Sequence, residues 1–370
     1  MLDNYEDICE EDEKEQLQGA MSLDSLRDIH VSQQLLSLAV LVDRISSNRL
    51  RFSTDFQRNG ELWSPVQKSR FIESILMGFP IPAFYFSVSE DNAVEWDIVD
   101  GLQRSTALRS FFLEGMKLSG LEFLSNHFDN FSFRLLPPGF QRKMLQTNVV
   151  VYLVEKGTPA FVKFSIFHRL NTGGLFLNAQ EIRQAVNNGR PAQVIKHIAE
   201  SDKFKIATKH QVSSKRMRDL DFVTHFVSFY LQPYESYTGN QDAFLTQGMA
   251  LIRKLSVAEI ESMIENFNDA LETINKVLGP DAFQRPTPKG YYRLLNKSLF
   301  EILTVSIAKL PPNERLVLEN RANSFKQAFD CLFNDEDFVN SIASSVDSVR
   351  KVKTRHQAIE SIINKTLKNI

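Results

Sequence analysis

Apolar residues recur along this chain in two periods, and the change between them divides it. From about residue 50 to residue 154, short alternating or continuous apolar runs mark strands. Val94-Glu95-Trp96-Asp97-Ile98-Val99 alternates and runs into Asp100-Gly101. Residues 50–53, 83–89 and 148–154 read as further strands, the last apolar after Asn148 and therefore central. Helical spacing occupies 35–45, with Leu38, Leu41, Val42 and Ile45 on one face, and also 64–77, 105–114, 137–146 and 158–170. The helix at 64–77 has explicit ends: Ser64 as N-cap, Pro65 in the first turn, Gln67 at the third position and Gly78 as the stop. Residues 117–136 are Phe-rich and show neither period.

From Asn178 onward the strand signal fades. Helices are predicted at 180–188, 191–200, 219–231, 241–254, 257–277, 290–309, 312–333 and 347–368. Asn178 with Glu181 and Ser256 with Glu259 have the spacing of capping boxes, and Pro191 and Pro312 sit at first-turn positions. The pattern predicts an α+β protein: an extension over 1–30, a mixed domain over 31–190 and an all-α domain over 191–370.

Composition and charge sharpen this picture at one end. The net charge is −2, but residues 1–15 hold eight acids against Lys14, so the remainder is mildly basic at +5. Such a tail reads as a disordered, solubilising extension, with shielding of a basic surface as the alternative. Cys9 and Cys331 are the two cysteines, so neither a disulfide framework nor a Cys-based zinc site is supported. No apolar run approaches the roughly 20 residues that cross a bilayer. No basic-then-apolar leader opens the chain, and the expectation is a cytoplasmic protein with no membrane contact.

The chemistry concentrates where the alternating strand turns into the helix after Asp100-Gly101. Gly accepts positive φ at such a turn, and a helix N-terminus fed from a strand offers unpaired N–H groups and partial positive charge to an anion. Gln103 and Arg104 add an amide and a guanidinium fork suited to phosphate. Asp100 fits either a Mg²⁺ ligand or the helix N-cap. Ser105 and Thr106 are hydroxyls in the first turn, donors to phosphate or ordinary helix residues.

Asp100-Gly101-Leu102-Gln103-Arg104 with Ser105-Thr106-Ala107-Leu108 resembles the DGQQR signature of a domain family that includes the S half of GmrSD-type, modification-dependent restriction systems. Two further blocks carry the resemblance: Phe56-Gln57-Arg58, Trp63, Gln67-Lys68-Ser69, Ile72-Glu73-Ser74-Ile75 and Gly78-Phe79-Pro80-Ile81-Pro82 upstream, and Phe167-His168-Arg169-Leu170-Asn171-Thr172-Gly173-Gly174 with Leu177 and Glu181 downstream. Leu102 stands where the family pattern prefers Gln.

The resemblance implies a ParB/sulfiredoxin-like fold for residues 31–190. It also implies a nucleoside triphosphate held with Mg²⁺ or another divalent cation, hydrolysis of that nucleotide, and a place in bacterial anti-phage defence. On this reading Asp100, Gln103 and Arg104 are the catalytic candidates and Asp100 the metal ligand. Gln57, Arg58, Gly101, Arg104, Ser105, Thr106, Asn171 and Gly173 line the nucleotide pocket. DNA and a separate nuclease subunit are the further expected partners, and self-association is left open. An HNH nuclease half does the cutting in GmrSD-type systems. The seven histidines of this chain are scattered and form no such group.

Outside the motif, Lys203, Lys205, Lys209, Lys215, Arg216 and Arg218 fall in a stretch of 16 residues that holds no acid. That cluster suits a nucleic-acid backbone, or equally a solvated linker in which Arg218 pairs with Asp219 or Asp221. Arg350 and His356 show a spacing found in some helical ribonucleases, a weak signal in a Lys-rich helix. Trp63 reads as core packing, and His168 and Arg169 as cations suited to a helix end. Three functions compete: a nucleotide hydrolase, a non-catalytic sensor of nucleotide or DNA, and a self-contained nuclease in the helical half.

Overall fold

The computed structural model describes residues 30–52, 63–170, 178–286, 295–343 and 348–368. These residues divide between Asn188 and Gly189 into two compact units. In the first, the order is β1 (Val31–Ser37), α1 (Leu38–Ser46), β2 (Leu50–Arg51), α2 (Pro65–Met77), β3 (Phe84–Val88), β4 (Trp96–Asp100), α3 (Leu102–Phe112), α4 (Ser125–Phe128), α5 (Pro138–Gln146), β5 (Asn148–Val154), α6 (Ala160–Leu170) and α7 (Ala179–Val186).

The five strands form one mixed sheet in the order β1-β5-β3-β4-β2. β3 is central, antiparallel to β4 and parallel to β5, while β1 is an edge strand antiparallel to β5. Alternation sorts the side chains by face. Phe84, Phe86, Trp96, Val149, Val151 and Leu153 pack under Leu41, Ile72, Ile75, Leu108 and Phe111 of the helices α1–α3. On the opposite face Val99 meets Phe164 and Phe167 of α6 and Ile182 of α7, with Tyr85 against the same cluster.

The capping box at Ser64 and Gln67 forms as the sequence predicts, and Gly78 ends α2 with φ 81°. The stretch 35–45 departs from expectation, because residues up to Ser37 belong to β1 and the helix starts at Leu38. Leu35 and Leu36 pair with Val150 and Val149, so the ladder to β5 claims backbone that the apolar spacing assigns to the helix. The Phe-rich segment becomes turns around α4 and a 3-10 turn at Phe133–Leu135. One side chain organises it: the buried Glu73 carboxylate accepts from the N–H groups of Glu122, Phe123 and Leu124 at 3.0, 2.8 and 2.8 Å. Burial alone would raise its pKa; these three donors outweigh that and hold the carboxyl below its ordinary value.

The second unit is helical: α8 (Arg190–Glu200), α9 (Asp202–Ala207), α10 (Arg218–Leu231), α11 (Gln241–Leu251), α12 (Val257–Leu278), α13 (Lys297–Ala308), α14 (Pro312–Asn320), α15 (Ala322–Leu332), α16 (Glu336–Ala343) and α17 (Val349–Lys368). Its core runs through Phe226, Phe267, Phe300, Leu303 and Ile359. The helix expected at 312–333 breaks at Arg321, which leaves helical geometry (φ −110°, ψ 27°) and donates to the carbonyls of Thr366 and Leu367 near the end of α17. Among the described residues no helix is long and apolar enough to cross a membrane.

Candidate functional site

β4 hands the chain to α3 through Gly101, whose φ of 99° lies in the left-handed region. A Cβ there would also come within 2.8 Å of Phe84 Cδ1, so conformation and space both call for glycine. Gly101 is the N-cap, and no side chain closes the first turn of α3. The backbone N–H groups at 102–104 therefore lack helical partners, while the bond from Ser105 N to Gly101 O begins the ladder.

Asp100 does not act as the cap. Its Oδ2 accepts from Arg104 Nη2 at 2.6 Å. Arg104 Nη1 donates to the carbonyls of Pro82 and Ala83 at 2.6 and 2.8 Å, and its guanidinium carbon lies 5.0 Å from the centre of the Phe84 ring. Arg104 thus ties the entry of β3 to the exit of β4. The Pro82 and Ala83 carbonyls and Asp100 engage three of its five N–H donors. The other motif side chains divide. Gln103 Oε1 accepts from the N–H of Trp63 at 3.0 Å, which leaves its amide nitrogen for a further acceptor. Thr106 Oγ1 donates back to the Leu102 carbonyl at 2.8 Å, and Ser105 is fully buried with no partner for its hydroxyl.

Asp100 is one carboxylate, and no group of three or more His, Cys, Asp or Glu able to hold a metal occurs among the described residues. Its donor set suits Mg²⁺ only when ligand phosphates supply further oxygens, a usual arrangement for this ion. Gln57, Arg58, Asn171 and Gly173 lie outside the described residues, as does the acidic tail.

Two polar groupings beside the motif escape sequence reasoning. Arg51, on β2, grips Asp97 with Nε and Nη2 at 2.8 and 2.9 Å; Asn188 donates to the same carboxylate at 2.9 Å. The signal for this pair is register, since Arg51 lies opposite Asp97 in the parallel β2–β4 ladder. The second grouping is α7, whose Gln180, Glu181, Arg183 and Gln184 are each at most 6 % exposed. Only its Asn178–Glu181 capping box is visible in the sequence.

In the helical unit the basic stretch does not form one free surface. Lys203 pairs with Glu272 at 2.6 Å and Lys209 with Asp281, while Lys205 is half-buried. Lys215, Arg216 and Arg218 are exposed around a 3-10 turn. Asp221 pairs with Lys297. Arg350 and His356 are not brought together for catalysis: Arg350 is exposed beside Asp337, whereas His356 is buried. His356 belongs instead to a sealed cluster around Glu301, which accepts from His225 Nδ1 at 2.7 Å, Arg355 Nη2 at 2.8 Å and His356 Nε2 at 3.3 Å. Burial would raise the Glu301 pKa; Arg355 and the two imidazoles more than offset it and hold the carboxyl well below its ordinary value.

Comparison with known proteins gives one family match. Residues 38–135 fit the model of the GmrSD restriction endonuclease, N-terminal domain, over just over a quarter of the chain. The match supports a restriction-system domain of the GmrSD type over these residues. It includes the β4–α3 junction and ends before the third sequence block at 167–181. No curated protein and no solved structure matches the chain.

Proposed function

We propose that the first unit binds a nucleoside triphosphate with Mg²⁺ at the β4–α3 junction. On this reading the chain is one component of a restriction-type anti-phage system, which passes nucleotide state to DNA or to a separate nuclease subunit. The carrying observation is the open first turn of α3 behind a left-handed glycine, flanked by Asp100 and by an arginine with two uncommitted donors. The N–H groups at 102–104, the remaining N–H groups of Arg104 and the Gln103 amide donate to phosphate oxygens. Asp100 and those oxygens hold the cation, which would neutralise charge on the phosphates. Ser105 and Thr106 serve through the helix turn rather than through exposed hydroxyls, and Gln57, Arg58, Asn171 and Gly173 complete the pocket. We assign the unit to the ParB/sulfiredoxin-like class, in which a strand–turn–arginine–helix element holds phosphates. Lys203, Lys205, Lys209, Lys215 and Arg216 are the proposed nucleic-acid contacts of the helical unit; Lys203, Lys215 and Arg216 are exposed. Calorimetry with the four ribonucleotides, their deoxy forms and Mg²⁺ tests the reading; no heat at millimolar ligand would overturn it.

One observation favours a sensor over a hydrolase. Leu102 is apolar and one lone pair of the Gln103 carbonyl oxygen is taken by the Trp63 N–H, so this part of the motif has a single acceptor site left to order an attacking water. Heat on binding without phosphate release, with and without DNA, would select the sensor; steady release would select the hydrolase.

A further inference from the structure

The pairing register lays four residues in one row across the sheet. Gln33 on β1 lies opposite Tyr152 on β5, Tyr152 opposite Tyr85 on β3, and Tyr85 opposite Asp100 on β4. Gln33, Tyr152 and Tyr85 share the face away from the α1–α3 core, and a register shift between Tyr85 and Phe86 brings Asp100, which follows Val99 of that face, to the end of the row. The two tyrosine rings stack, with centroids 5.0 Å apart and planes 14° from parallel. Helices α6 and α7 cover the β4 side of this face, where Val99 meets Phe164 and Ile182. Toward β1 it is open: Gln33 is exposed, Leu35 is 67 % exposed and Val31 46 %. Tyr85 packs against the covered side, and Tyr152 borders the open one.

We infer that Tyr152, backed by Tyr85, is the base-stacking face of the nucleotide site, with Gln33 beneath the base edge. The inference rests on the phosphate site proposed at the β4–α3 junction. Its occupant is a nucleobase because the row joins two complementary chemistries: a π surface at one end and an anion-seeking helix N-terminus at the other. Tyr85 covers the β3 side of the Tyr152 ring, so the base lies over Gln33 on β1; at about 4.8 Å per strand, three spacings, about 14 Å, separate it from the Asp100 strand. An extended nucleoside triphosphate spans such a gap, with its base on Tyr152 and its phosphates at 101–104. Aromatic stacking tolerates any base, and the Gln33 amide, both donor and acceptor, supplies a preference among them.

Calorimetry on the full chain with Mg²⁺ tests this, using each nucleoside triphosphate beside inorganic tripolyphosphate. Tyr152→Leu should weaken nucleotide binding roughly 5- to 100-fold, the usual worth of one stacked base. It should leave tripolyphosphate unchanged, and Tyr152→Phe should restore nucleotide affinity. Equal weakening of both ligands, or unchanged nucleotide affinity, overturns the inference while the phosphate site stands. Wild-type protein that binds neither ligand overturns both. Should Tyr152→Leu fail to fold, ring-labelled tyrosine in the wild-type chain decides. The Tyr152 ring resonances should shift with nucleotide and not with tripolyphosphate, and identical responses to the two would refute the stack.

Discussion

Each unit contains an arginine–carboxylate pair, and the two are built to opposite ends. Arg355 and Glu301 are sealed, with both side chains at 0 % exposure and the carboxylate closed by two imidazoles. Arg104 and Asp100 are at 2.6 Å, against 2.8 Å for the sealed pair, but stand at 12 % and 38 %, at a helix start with open N–H groups. A buried charge survives only when its counter-charge and donors are in place. Glu301 has Arg355 and two imidazoles, and the atom of the cluster left without a partner, His225 Nε2, is itself buried away from solvent, so the first pair is architecture. The second pair keeps unused donors because water can serve them until a ligand does. Proximity of opposite charges thus does not mark function; incomplete satisfaction beside solvent does.

The sealed pair should give the largest effect. Glu301→Gln leaves Arg355 buried without its counter-charge and should cost the helical unit about 3–5 kcal/mol in denaturant titrations. A loss under about 1 kcal/mol would make the pair dispensable and remove the contrast. The pH dependence carries a definite sign. The folded pKa of Glu301 is depressed, so its stabilisation is present above the unfolded value of about 4.5 and decays as pH falls through the folded value. The wild-type helical unit should therefore lose stability into acid, and Glu301→Gln should flatten that decline.

Next comes Glu73, a lone buried carboxylate answered by backbone rather than by a cation. Glu73→Gln should destabilise the first unit by about 2 kcal/mol, since hydrogen bonds to a charged group are worth roughly 1.5–3 kcal/mol. A neutral result would show that the charge is immaterial to the loop. Arg104 tests the half-open case. Arg104→Ala should cost about 1–3 kcal/mol in stability through the Pro82 and Ala83 carbonyls, and also weaken nucleotide binding by about 2–4 kcal/mol. Arg104→Lys separates these, keeping charge at the helix start while losing the planar fork. The smallest effect belongs to the exposed Arg350–Asp337 pair, where Arg350→Ala should change the melting free energy by less than about 0.5 kcal/mol.

What the sequence conveys is local. The Ser64–Gln67, Asn178–Glu181 and Ser256–Glu259 boxes form because each needs only four consecutive residues. The Asp100–Arg104 turn is legible for the same reason. Its internal pairing is not, because the Pro82 and Ala83 carbonyls reach Arg104 only after β3 has joined β4. The edge strand β1 is hidden, since Val31, Gln33 and Leu35 face outward and carry no clean alternation. Glu301, His225 and Arg355 come from three helices with 76 and 54 residues between partners, a distance at which composition and period say nothing.

Glu73 has a consequence for how the first unit breathes. The amides of Glu122, Phe123 and Leu124 belong to no helix or strand, and the Phe123 side chain is 63 % exposed. A turn of that kind would ordinarily trade its amide protons with solvent almost at once. Here the three protons are clamped by a carboxylate on α2, so they escape only when that helix lets go. In deuterium oxide this irregular turn should keep time with α2, one cooperative element wearing the appearance of two.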